Sequence, residues 1–286
     1  MNRGLIDLHI HSNCSDGVLT PKEIIDVAKR NNVSIISITD HDTVAGYTSE
    51  LFKYAKSNGI KLITGVEISC KLNKVGIHIL GYNFDLNNKE LLECLDSLRN
   101  ARHNYLTNVS KALNDIGYVL NVSKLDSIQA VTKAHIALDV VENEANRELL
   151  IKEFGYIPSK GEFIETIMNE GCKAYVEKKS VTPKEASEYI KKAGGKVVIA
   201  HPVAYKYEDN LNELDIERLI ESIEPYGLEA NYIYVDRKDN IIDECEIWNK
   251  IAKKYNLVVT TGSDFHISDG IRPEIGLINT SIKLNR

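Results

Sequence analysis

Short apolar, β-rich runs alternate with helical patterns along much of the chain, and nearly every run hands over to a histidine or a carboxylate. Leu5-Ile6-Asp7-Leu8 leads into His9-Ile10-His11 and then Asp16. Residues 34–40 lead into His41, residues 60–66 into Glu67, residues 197–200 into His201, and residues 257–263 into Asp264-Phe265-His266. His78 lies inside Gly76-Ile77-His78-Ile79-Leu80. Six of the eight histidines and three carboxylates thus occupy one kind of location. This rhythm predicts an α/β fold of parallel strands whose C-terminal ends carry the function.

Strands are expected near residues 5–9, 34–39, 61–66, 75–81, 196–200, 227–231 and 257–262. The sequence Thr20-Pro21-Lys22-Glu23 reads as a helix start, with Thr as cap, Pro at the first helical position and Glu closing a capping box. Thr182-Pro183-Lys184-Glu185 repeats the device. A further helix is expected after Asp42, ending near Asn58-Gly59. Between residues 83 and 180 strand signals vanish and helices are expected at 88–116, 133–142, 145–154 and 161–170. The organisation read here is a catalytic domain of residues 1–82 and 181–286, interrupted by a helical insertion at 83–180. Seven strands with ligands drawn from several of them describe a TIM-like barrel one unit short of eight. An open doubly wound sheet is the alternative, with its site gathered at one switch point.

An apolar content of 43% supports a full core, and no apolar stretch approaches the ~20 residues that span a bilayer. The chain opens into a strand-like segment without a signal-peptide pattern, so a cytoplasmic protein with no membrane association is expected. Cys14, Cys70, Cys94, Cys172 and Cys245 are scattered and read as free thiols. A net charge of −6 argues against a surface that coats double-stranded DNA.

Alternation places His9 and His11 on one strand face, with Cα atoms ~6.6 Å apart. Two imidazoles so spaced can converge on one ion at ~2.1 Å from each nitrogen. Asp264 and His266 repeat the spacing. The donor set is nitrogen and oxygen without thiolate, which suits manganese, iron or zinc. Three divalent ions would bring six positive charges, and Asp16, Glu67 and Asp264 return three. A phosphate dianion and a hydroxide would balance the remainder, which favours phosphate-ester hydrolysis.

These motifs together resemble the PHP (polymerase and histidinol phosphatase) superfamily: His9-Ile10-His11-Ser12 with Ser15-Asp16-Gly17, Thr39-Asp40-His41-Asp42, Gly65-Val66-Glu67, the His78 segment, Ala200-His201-Pro202 and Gly262-Ser263-Asp264-Phe265-His266. The resemblance implies a distorted (β/α)7 barrel with a trinuclear metal centre, manganese first among the candidate ions and iron or zinc also compatible. His9, His11, Glu67 and Asp264 would hold one ion, Glu67, His78 and His201 a second, and Asp16, His41 and His266 a third. His201 and Asp264 are the residues it implies in the chemistry, with a hydroxide bridging two ions as nucleophile. Asp16 in Ser-Asp-Gly, the helical insertion and Lys173-Ala174-Tyr175-Val176 resemble the branch that contains 3′,5′-nucleoside bisphosphate phosphatases and 5′-to-3′ trimming ribonucleases. The implied function is a metal-dependent phosphoesterase acting on a small phosphomonoester, such as a 3′,5′-nucleoside bisphosphate. The alternatives are a 5′-3′ exoribonuclease on short 5′-phosphorylated RNA, or a non-catalytic, metal-stabilised nucleotide-binding regulatory module.

The insertion is then expected to be a substrate lid. Arg99 and Arg102 share a helix face, joined by His103, and can clamp a phosphate. Lys133-Ala134-His135 stands where related sequences show Arg-Pro-His, so Lys133 departs from the family pattern by offering a point charge in place of a planar fork. Four other positions carry expectations. Asp42 is expected to cap a helix; Asp7 either orients a histidine or pairs within the core; Glu229 and Tyr205 are expected at the rim, against substrate or a ligand histidine.

Overall fold

The computed structural model describes residues 5–73, 75–126, 131–177, 179–236 and 238–277. Nine strands are present among them: β1 (Leu5–Ile10), β2 (Val33–Ile38), β3 (Lys61–Leu72), β4 (Val75–Tyr82), β5 (Lys196–Ile199), β6 (Gly227–Asn231), β7 (Ile233–Val235), β8 (Ile241–Asp243) and β9 (Val258–Thr261). Seven form one sheet in the order β1-β2-β3-β4-β5-β6-β9, and β7-β8 form a separate antiparallel hairpin absent from the sequence reading. Beyond β9, Asp264 N donates to His9 O at 2.8 Å and His11 N to Phe265 O at 2.9 Å, which ties this segment to β1.

The expectation of parallel strands fails at one place. β4 runs antiparallel to both β3 and β5, whereas β1-β2, β2-β3, β5-β6 and β6-β9 are parallel. Only two residues separate β3 from β4. A parallel crossover needs roughly a dozen, so a hairpin is the only short connection. The reversal has a functional result. The early part of β4 lies beside the late part of β3, pairing His78 with Ser69 and bringing it to the level of Glu67.

The helix Pro21–Arg30 starts as expected: the Thr20 hydroxyl accepts from Glu23 N, and Glu23 Oε2 accepts from Thr20 N at 2.8 Å. It buries Ile24, Ile25 and Ala28 against Ile10, Ile36 and Ile38. Burial of each large side chain contributes about 1.5–3 kcal/mol. Pro183–Lys192 has the same capping box. The helix expected after Asp42 instead begins at Ser49, capped by Thr48. Asp42 does not cap it; its backbone sits at φ 53° and its Oδ1 accepts Ser69 N at 2.8 Å, which pins the turn to β3.

The chain resolves into two compact units, residues 1–96 with 180–286 and residues 97–179. In the second, Val109, Leu113, Tyr118, Ile136, Val140, Leu150, Phe163 and Ile167 form a closed apolar cluster. The helix Lys133–Glu142 falls where expected. The single helix expected at 161–170 is instead a short α-helix, Lys160–Phe163, running into a π-helical turn, Ile164–Met168. Among the described residues no helix is long and apolar enough to cross a membrane.

Candidate metal centre

Six different stretches of the first unit bring nine side chains together. His9 and His11 leave the end of β1, His41 follows β2, and Glu67 and His78 face across the β3-β4 hairpin. His201 follows β5, and Asp264 and His266 follow β9. Asp16 lies in the turn after His11, which is unusually tight: Gly17 N donates to Ser12 O at 3.0 Å, and a Cβ at Gly17 would collide with the His11 carbonyl. Asp40 holds this turn, accepting Ser12 N (2.7 Å), Ser12 Oγ (2.6 Å) and Ser15 Oγ (2.7 Å).

Glu67 is the hub. Its Oε1 lies 2.9 Å from His78 Nδ1 and 3.1 Å from His201 Nε2. Its Oε2 lies 3.1 Å from His41 Nδ1, 3.2 Å from His11 Nε2 and 3.4 Å from His9 Nε2. Asp264 Oδ1 lies 3.1 Å from His11 Nε2 and 3.3 Å from His9 Nε2. Asp16 Oδ1 lies 3.3 Å from His11 Nδ1 and 3.4 Å from His266 Nε2, with Oδ2 3.7 Å from His41 Nε2. The donors form four overlapping groups: His11/Asp16/His41/His266, His9/His11/Asp264, His9/Glu67/His201 and His41/Glu67/His78.

Three features suit this set to cations. The Nε2 atoms of His9 and His11 face each other at 3.1 Å, a spacing that a proton or a cation between them would satisfy. Glu67 Oε2 and His41 Nδ1 are buried and only 3.1 Å apart, yet neither has a hydrogen bond of good geometry, which is costly for a buried carboxylate oxygen. The ligand tautomers are also set from behind. His9 Nδ1 lies 3.0 and 3.1 Å from the two oxygens of buried Glu229, so it carries the proton and Nε2 keeps its lone pair. His266 Nδ1 donates to the Asp264 carbonyl at 2.8 Å and leaves its own Nε2 free in the same way. Asp264 and His201 hold positive φ values of 53° and 21°, backbone strain of the kind that clusters at functional sites.

Burial opposes charge on Glu67, Asp264 and Asp16, yet these carboxylates stay ionised. Burial would raise Glu67, but His41, His78 and His9 hold it well below the ordinary carboxylate range. Asp264 and Asp16 are likewise driven down against burial, the first by His9 and His266 and the second by His11 and His266. Burial would lower His9 and His11, but their carboxylate neighbours lift both well above 6.5. Burial wins at His41, which is pushed well below 6.5.

The supporting residues differ from expectation in part. Asp7 touches no imidazole. Its oxygens accept from Ser263 N (3.0 Å), Ser263 Oγ (2.7 Å), Gly276 N (2.8 Å) and His9 N (3.3 Å), fixing the backbone that carries Asp264. Burial pushes its carboxyl up to about 6 despite these bonds. The Tyr205 hydroxyl is spent on the His78 backbone, accepting from its N at 2.8 Å. Glu229 also accepts His201 N at 2.9 Å. Asp40 and Tyr232 were missed by the sequence reading. Ser12 and Ser15 were the signal for Asp40; nothing in the sequence marks Tyr232, whose hydroxyl lies 3.0 Å from Asp264 Oδ2.

Of the residues expected to meet substrate, all four belong to the second unit. Arg99 is exposed on the helix Lys89–Asp115, and the side chain of Arg102 lies outside the described residues. Lys133 Nζ donates to Asn169 Oδ1 at 3.1 Å, and His135 Nδ1 lies 3.2 Å from Thr132 N, completing a helix cap.

A mostly parallel seven-stranded sheet that carries a His/Asp/Glu cluster defines a class of metal-dependent hydrolase. The PHP domain family model matches residues 7–223, and the chain belongs to that family. It is similar to a 5′-3′ exoribonuclease of Haemophilus influenzae, 31% identical over 92% of this chain and 90% of the relative. It is also similar to a 3′,5′-nucleoside bisphosphate phosphatase of Chromobacterium violaceum, 29% identical over 91% and 87%. Among solved structures, a Chromobacterium violaceum protein described as an amidohydrolase with bound sulfate and no metal superposes with a TM-score of 0.71. It is 26% identical, over 93% of this chain and 89% of that one. The chain is a metal-dependent phosphoesterase, a hydrolase of phosphoric ester bonds.

Proposed function

We propose that this enzyme removes a terminal phosphate from a small nucleotide, with 3′,5′-nucleoside bisphosphates as the leading substrate class. The observation that carries the reading is the convergence of nine nitrogen and oxygen donors in four overlapping groups around Glu67. The named activity of the Chromobacterium relative supports the substrate. His9, His11, Glu67 and Asp264 would hold one ion, Glu67, His78 and His201 a second, and Asp16, His41 and His266 a third. Manganese is the first choice for the three, and iron or zinc fit the same donors. When bound, such ions lower the pKa of water towards neutrality and neutralise phosphoryl oxygens as charge builds.

The chain's own residues do the positioning. Glu229 keeps the His9 lone pair on Nε2, and the Asp264 carbonyl does the same for His266. Asp40 shapes the turn that presents Asp16. His201 and Asp264 are the protein groups we place in contact with the reacting atoms. We further infer that the sheet curls into a distorted (β/α)7 barrel, supported by the hydrogen bonds between β1 and residues 264–265. The helical residues 83–180 are read as an inserted substrate lid on a catalytic domain of 1–82 and 181–286, with Arg99, Arg102, Lys133 and His135 as its phosphate contacts. Free cysteines support a cytoplasmic location.

The test is phosphate release from 3′-phosphoadenosine 5′-phosphate by purified protein with Mn²⁺, beside mononucleotides and histidinol phosphate. Release from the bisphosphate first supports the reading; no release from any of them overturns it. A second reading, removal of nucleotides from the 5′ end of short RNA, is favoured by the likeness to the Haemophilus exoribonuclease. Shortening of a 5′-phosphorylated oligonucleotide on a gel, without turnover of the bisphosphate, would select it.

A further inference from the structure

Asp264 is held from every side except the one that faces the cluster. Its N–H donates to His9 O at 2.8 Å, and its carbonyl accepts His266 Nδ1 at 2.8 Å. Of its two carboxylate oxygens, Oδ1 points at His9 Nε2 and His11 Nε2. The other, Oδ2, accepts the Tyr232 hydroxyl at 3.0 Å. Tyr232 is partly buried and its ring packs at 5.4 Å, 48° against that of His201. It follows β6 directly, three residues after Glu229, so one short segment braces both His9 and Asp264.

We propose that Tyr232 is a positioning residue for the metal centre: its hydroxyl engages Asp264 Oδ2 and so presents Oδ1 alone, with a fixed carboxylate plane, to the cation shared with His9 and His11. The inference rests on the metal reading above. A carboxylate on a flexible side chain can rotate to offer either oxygen or both. A tyrosine hydroxyl on one oxygen removes that freedom before any ion arrives, and outer-shell partners of this kind typically govern 10–100-fold in metal affinity. The ring's contact with His201 gives the hydroxyl a fixed origin. This differs from Tyr205, whose hydroxyl bonds the His78 backbone and no ligand side chain.

The test is calorimetric titration of Mn²⁺ into metal-free wild-type protein and Tyr232→Phe, with the metal-free melting temperature measured for each. Phenylalanine keeps the ring packing and deletes only the hydroxyl. The expected result is about 10–100-fold weaker binding at one class of site, with a melting temperature unchanged in the metal-free state. A merely structural role would lower the metal-free melting temperature and leave the Mn²⁺ affinity alone. Affinity within twofold of wild type overturns the inference. Wild-type protein that binds no Mn²⁺ overturns the metal reading itself, so the two failures are distinguishable. Should Tyr232→Phe melt early, Tyr232→Leu and Tyr205→Phe serve as packing controls: loss of affinity common to all three overturns the assignment to the hydroxyl.

Discussion

The two compact units handle buried polar groups in opposite ways. In the helical unit Asp139 accepts Asn121 N and Lys124 Nζ, and Asn146 bonds Val119 N, Val119 O and Val140 O. Both of these buried side chains satisfy backbone groups or an opposite charge, and most of the surrounding interior is apolar packing. In the sheet unit Asp7, His9, His11, Asp40, Glu67, His201 and Glu229 are all buried, and several of them face one another. Such a cluster gives little stability for its desolvation. The difference teaches that one interior is built to hold itself together and the other to hold something else.

Substitutions can break that contrast. The largest effect is expected from Glu67→Gln, which removes the shared charge facing five imidazoles. With the carboxylate that faces every one of these nitrogens neutralised, cations should bind more weakly and phosphate release should fall by about 100-fold or more. Metal analysis should show fewer ions per chain, while the helical unit keeps its circular dichroism. Phe163→Ala is the converse. Its ring is fully buried beside Tyr118, and truncation should lower unfolding stability by about 3–5 kcal/mol in denaturant titration, with Mn²⁺ affinity retained.

Gly262→Ala should disturb both properties of the sheet unit at once. A Cβ there would run into the His9 side chain and the Glu229 carboxylate. Overpacking of this kind costs about 1–3 kcal/mol, and the variant should melt earlier and bind Mn²⁺ more weakly. The smallest effect concerns pH. His9 and His11 have folded pKa values raised above 6.5, so their contribution to metal-free stability is present below that pH and is lost as pH rises through the raised values. The cation competes with those protons, so Mn²⁺ affinity should rise about tenfold per pH unit for each proton displaced. Calorimetry in buffers of different ionisation enthalpy would reveal the released protons; a pH-independent affinity would contradict the assignment.

The seven strands of the main sheet, the capping boxes at Thr20 and Thr182 and the helices of the second unit were legible because they depend on local pattern. The direction of β4 was not, since His78 reads the same in either direction and only the two-residue connection after Leu72 decides it. The cluster was legible as residue types at strand ends. Its supports were less so. Asp40 carried no expected role, Asp7 was open between a histidine and a core partner, and Asp42 was expected to cap a helix, because the partners that decide these roles lie 25 to 269 residues away and no local pattern encodes them. Tyr232 had no signal at all, being one of fourteen tyrosines. The substrate is the least legible part, because Lys133 and His135 lie in a helical start that also serves as its own cap.

Everything proposed for this site depends on the buried His/Asp/Glu cluster holding several metal ions. Elemental mass spectrometry of protein purified anaerobically without chelators tests it most directly. About three transition-metal ions per chain are expected, lost together with phosphate release on chelation and restored together by Mn²⁺. Protein that retains phosphatase activity while holding no transition metal would contradict it.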